Sequence, residues 1–166
     1  MRILCDQDVP EPLLDPLRHL LRGDHAVEHV NHIRWTGKQD RFVYPDAKRR
    51  GYDVILTNDA NQLNDADETD AIRRSGLHHV RYSHRHLGTK GLALAMGGIL
   101  AAMPGVVDEL IRADGQRLVR IAAISPHDRF DVVDPRRDPP EVLAMRTPLR
   151  AGPDPAGLST TSGRGR

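Results

Sequence analysis

Asp53-Val54-Ile55-Leu56-Thr57-Asn58-Asp59 is a short apolar run that stops in polar side chains. A run of this length, apolar at consecutive positions, forms a strand buried on both faces, as in a parallel sheet covered by helices. The polar stop marks where the chain leaves the sheet. The opening of the chain repeats the pattern: Arg2-Ile3-Leu4-Cys5 is a buried-strand run that Asp6-Gln7-Asp8 end.

Helical signals fill the space between these strands. Pro10 and Pro12 suit a helix entrance, and Leu13, Leu14, Leu17, Leu20 and Leu21 recur at three- and four-residue spacing before a stop at Gly23. Ala26 to Val30 alternate as a second strand would, and Asn31 to Lys38 form a polar loop around Trp35 and Gly37. A helix resumes near Gln39, carries Phe42, Val43 and Ala47, and ends at Gly51. Pro45 costs about 3 kcal/mol in a regular interior and predicts a kink or a later start.

Beyond the central strand, Asp65 to Ser75 reads as a helix, with acids in its first turn, Arg73 and Arg74 in its last and Gly76 after it. His79-Val80-Arg81-Tyr82 is a fourth strand. From Thr89 to Asp114 an apolar stripe predicts two helices, because Gly97-Gly98 weaken a single one by about 1 kcal/mol each and Pro104 opens a new one. Arg117 to Ile124 close the series as a fifth strand. Five strands alternating with helices predict a three-layer α/β/α sandwich around a mostly parallel sheet. Residues 1–125 form this domain, and 126–166 form a tail rich in Pro, Arg and Gly that is expected to be poorly ordered.

The chain of 166 residues carries 24 Lys and Arg against 23 Asp and Glu, enough for one domain and too balanced to argue for nucleic acid by total charge. One cysteine, Cys5, excludes an internal disulfide and a multi-cysteine zinc site. No apolar run approaches the roughly 18–20 residues that span a bilayer, and Asp6 interrupts any signal core, so a cytoplasmic protein is expected.

Ligands in such sheets gather at the carboxyl ends of the strands. Asp6 and Asp8 follow the first strand, Asp59 follows the third, and Asp40 starts the helix that the second strand's loop delivers to the same rim. At about 5 Å and an effective dielectric near 20, each carboxylate pair costs on the order of 3 kcal/mol. A divalent cation relieves the repulsion, and all-oxygen ligation favours Mg²⁺ or Mn²⁺. Arg81 near the end of the fourth strand, and His84, Arg85 and His86 after it, lie at that rim and are candidates for RNA phosphates. Lys48-Arg49-Arg50 and Arg73-Arg74 read mainly as helix-end charge compensation. Trp35 reads as a loop anchor ahead of a base-stacking residue, the histidines as satisfied side chains, and Cys5 as a small apolar filler.

These residues resemble the small PIN-like domains of prokaryotes, including the toxin-like PIN ribonucleases. Cys5-Asp6-Gln7-Asp8-Val9-Pro10 stands where that family has a strand and an Asp-Glu-Asn-Leu-Pro-like segment. His29-Val30 with Gly37-Lys38-Gln39-Asp40 matches its second signature, and Val54-Ile55-Leu56-Thr57-Asn58-Asp59 its third. Motifs carry the resemblance over residues 1–82, and the order of elements carries it to about 124. It implies a metal-dependent ribonuclease in which Asp6, Asp40 and Asp59 hold Mg²⁺ or Mn²⁺. Asp8 would orient water or a second metal, and Thr57 and Asn58 would position a carboxylate or phosphate oxygen. Asn61 stands where the family often has another Asp, and Gln7-Asp8 replaces Glu-Asn, so Asp8, Asp65 and Asp67 are the substitutes for a fourth ligand.

The expected partners are RNA, an antitoxin protein and a second copy of the chain. Three rival readings share parts of the pattern. A non-catalytic PIN-like binding module needs only the fold. A haloacid-dehalogenase-type phosphatase would use Asp6, Asp8 and Thr57 but lacks its later acidic pair. A receiver-like phosphoacceptor would use Asp59 and Ser83, but no Lys occurs in Ile121-Ala122-Ala123-Ile124-Ser125.

Overall fold

A computed structural model describes residues 1–58, 66–83 and 88–124, without the side chains of Asp40, Arg41 and Ala66. The expected tail lies outside the described residues. Five strands are present: β1 (Arg2–Cys5), β2 (Ala26–His29), β3 (Val54–Thr57), β4 (His78–Tyr82) and β5 (Leu118–Ile121). They pair in parallel in the order β2-β1-β3-β4-β5. The connections from β1 to β2 and from β2 to β3 run in opposite directions, which opens a crevice between the carboxyl ends of β1 and β3.

Strand alternation sorts the core into two layers. Ile3 and Cys5 of β1, Val54 and Leu56 of β3, and Val80 and Tyr82 of β4 face one side. There they meet α1 (Leu14–Leu20), entered through a 3-10 turn at Glu11–Leu13, and α4 (Gly88–Arg112). Leu4 and Ile55 face the other side, against α2 (Asp40–Arg49), α3 (Ala66–Ser75) and the loop anchor Trp35. Each of these large apolar side chains contributes about 1.5–3 kcal/mol by leaving water, so the two clusters dominate stability. Gly51 and Gly76 stop α2 and α3 at φ of +76° and +66°, a region that costs an L side chain strain.

The structure corrects two local expectations. α2 starts at Asp40, next to the expected Gln39, and runs through Pro45, so of the two expected outcomes the later start does not occur. α4 is one helix of 25 residues, not two, and it is apolar and long enough to cross a bilayer by length and composition, contrary to the run-by-run reading. Ala95, Ile99, Met103, Val107 and Leu110 form one buried stripe that continues through both glycines and Pro104. Packing of that stripe on the sheet outweighs the local helix penalties.

Gly97 and Gly98 lie under the segment that follows β5. A β-carbon built at Gly97 would sit 3.6 Å from Ile124 Cδ1, and one at Gly98 would sit 3.5 Å from Ile124 Cγ1, ordinary contact distances. Gly97→Ala is therefore expected to stabilise the protein by about 0.5–1 kcal/mol, through helix propensity without a clash. Urea unfolding followed by circular dichroism measures it, and a lower midpoint in the variant would show that the Ile124 contact cannot give.

Candidate active site at the carboxyl ends of the sheet

Asp6 is the first residue past β1. Its amide donates to the Leu56 carbonyl at 2.9 Å, which carries the β1–β3 ladder one step beyond the strand and brings the side chain into the crevice. The residue is only 9 % exposed. Its Oδ1 accepts the Gln7 amide at 2.7 Å and its Oδ2 accepts the hydroxyl of fully buried Thr57 at 3.0 Å. A carboxylate with both oxygens engaged keeps one orientation, which is what a ligand or a hydrogen-bonding group at a reacting centre requires.

Asp6 also opens a tight turn. The Val9 amide donates to the Asp6 carbonyl at 3.0 Å, and two side chains from flanking strands hold the next carbonyls. His29 of β2, fully buried, donates from Nε2 to the Val9 carbonyl at 2.9 Å. Its Nδ1 accepts the Asn31 amide at 3.1 Å, which assigns the neutral tautomer with the proton on Nε2. Tyr82, at the end of β4, donates to the Asp8 carbonyl at 3.0 Å, and burial first, then the nearby Asp8, raises its phenol above the usual range. The turn is thus clamped from both sides, with the Asp8 side chain exposed at the rim.

Asp6, Thr57 and Arg81 share the sheet face covered by α2 and α3, since each alternates with residues of the opposite cluster. Thr57 is directly paired with Arg81. The Arg81 Nε is buried without a hydrogen-bond partner. Two residues earlier on the same face, His79 stacks on Tyr44, its ring centroid 6.3 Å away, and its pKa is lowered to about 4 by burial and then by the charge of Arg81.

The remaining expected residues fall as follows. Asn58 follows Thr57, half-buried, at the rim. Asp40 is the first residue of α2, at the rim end of that helix, and its side chain lies outside the described residues. Asp59, His84, Arg85 and His86 also lie outside them, as do Asn61 and Asp65. Among the described residues no group of three Asp, Glu, His or Cys side chains is placed to hold a metal. What the described residues supply is one fixed carboxylate with oxygen neighbours, donor chemistry that suits a hard divalent ion.

The basic runs on α2 and α3 lie at the far end of the sheet. Arg49 pairs with Asp46, and Arg73 and Arg74 pair with Asp70, while Arg50 lies over Trp35 at 4.5 Å. Lys38 covers the same Trp35 ring at 4.0 Å, so the tryptophan is a buried loop anchor. Cys5 is buried, and loss of solvent pushes its thiol up to about 12, which removes it as a nucleophile. Sequence reasoning missed the two clamps. Their only local signal is a polar tip on a strand residue, and their partners lie 20 and 74 residues away.

A family model described as a PIN like domain matches residues 1–83, half of the chain. No curated protein and no solved structure matches it. The matched stretch contains β1 to β4 and every described residue of the Asp6 crevice, and by that match the chain belongs to the PIN-like domain family.

Proposed function

We propose that this PIN-like domain is a divalent-metal-dependent ribonuclease. Such domains are commonly nucleases that use divalent metals. The observation that carries the reading is the Asp6 carboxylate, buried in the β1–β3 crevice and oriented by Thr57 and the Gln7 amide.

In this reading Asp6, Asp40 and Asp59 hold Mg²⁺ or Mn²⁺, which when bound lowers the pKa of water and offsets charge at the scissile phosphate. Thr57 fixes the Asp6 oxygen, Asp8 faces solvent where it can orient the attacking water, and Asn58 offers an amide to a phosphate oxygen. Arg81, with His84, Arg85 and His86 after it, binds the RNA backbone. A role as the toxin of a toxin–antitoxin pair, in the cytoplasm and restrained by a protein partner, rests on the family resemblance.

Purified protein with Mn²⁺ is expected to cut a labelled single-stranded oligoribonucleotide and to stop when EDTA is added. Binding of the same RNA without cleavage in either metal would replace this reading with that of a non-catalytic module.

A further inference from the structure

β5 forms one margin of the sheet, and its register sets Arg120 beside Arg81, as Arg81 is set beside Thr57. Side chains directly opposite on neighbouring strands share a face. Leu118, two residues before Arg120 and on its face, is 61 % exposed, so the α2–α3 layer stops short of β5. Arg120 is exposed and Arg81 half-buried.

Two guanidinium groups side by side repel, and sheets ordinarily separate them or give them acids. Several other arginines have acids: Arg2 faces Glu28, Arg49 faces Asp46, Arg73 faces Asp70 and Arg117 faces Asp114. Among the described residues neither Arg81 nor Arg120 has a carboxylate or a hydrogen-bond acceptor, and the Arg81 Nε–H is out of water as well. A buried arginine donor without an acceptor points to one supplied from outside, and a phosphate oxygen pair fits the side-on fork of a guanidinium.

We propose that Arg81 and Arg120 form a binding step for the phosphodiester backbone of a single-stranded nucleic acid, leading from Asp6 and Thr57 across β4 to the β5 margin. Arg120 lies beyond residues 1–83, so this step belongs to the half of the chain outside the family match. Its place as a substrate track rests on the nuclease reading, but the binding itself does not.

The test measures anisotropy of a labelled single-stranded oligoribonucleotide with the full chain in EDTA, over a range of salt. For a single strand, log K falls with log salt by about 0.7 per neutralised phosphate. Arg120→Gln is expected to weaken binding and reduce that slope by about 0.7, and Arg81→Gln with Arg120→Gln by about 1.4. Arg120→Lys should restore the slope. Arg22→Gln, which removes the same charge beside α1 on the opposite face, should leave it unchanged. Arg120 is exposed, so its variant keeps the fold, as thermal melting checks.

An unchanged slope in Arg120→Gln, an equal loss in Arg22→Gln, or no RNA binding by the wild type would each overturn the proposal. A slope that falls as expected in a protein that never cleaves with Mn²⁺ would sink the nuclease reading alone. Cleavage with Mn²⁺ and an unchanged Arg120→Gln slope would sink this site alone.

Discussion

Asp6→Asn is expected to lower metal-dependent RNA cleavage by more than about 100-fold, because loss of a group merely supporting a metal ligand already costs about 10- to 100-fold. The fold should survive. Asparagine has the same shape, its Oδ1 can accept the Gln7 amide, and its Nδ2 can donate to Thr57 Oγ1 where the carboxylate now accepts. Stability in the absence of metal is therefore expected to change by no more than about 1 kcal/mol.

Metal linkage gives a readout independent of catalysis. At a metal concentration roughly 100 times Kd, binding to the folded state alone adds about 2.7 kcal/mol. Mn²⁺ should raise the melting temperature of the wild type and fail to raise that of Asp6→Asn. Full cleavage by a folded Asp6→Asn variant would remove Asp6 from the chemistry.

His29→Leu is expected to cost about 2–4 kcal/mol of stability, since it leaves the buried Val9 carbonyl and the part-buried Asn31 amide without their partner. Leucine fills much of the ring's volume, so the loss reports the two hydrogen bonds more than a cavity. Tyr82→Phe is the milder companion, at about 1 kcal/mol, because Asp8 is exposed and water can reach its carbonyl. Urea titration of the three proteins side by side decides it. A His29→Leu variant within about 0.5 kcal/mol of the wild type would mean the turn holds through the Val9–Asp6 bond and the Tyr82 clamp without His29.

Much of this arrangement is written locally in the chain. The runs at Arg2–Cys5 and Val54–Thr57 and their polar stops locate the rim, because burial on both faces of a parallel strand leaves an unmistakable apolar string. The reading fails where distant parts decide. Gly97, Gly98 and Pro104 look like breaks when only neighbours are counted, yet one stripe from Ala95 to Leu110 packs across them. Register between strands is invisible in a single string of letters, which is why the pairing of Arg81 with Arg120 and the reach of Tyr82 to Asp8 had no forecast. The basic runs at Lys48–Arg50 and Arg73–Arg74 are obvious as letters. Helices that start at the rim carry their last turns to the other end of the sheet.

The position of α4 constrains how the matched half could ever exist by itself. Cut after residue 83, the sheet would lose Ile99, Met103, Val107 and Leu110 from above Ile3, Leu56 and Val80, and β4, paired only with β3, would become a bare border. The acid-bearing crevice and the greasy roof over its far side are thus a single cooperative body. Any shorter relative of this chain would have to replace that roof with other apolar material before its crevice could keep its shape.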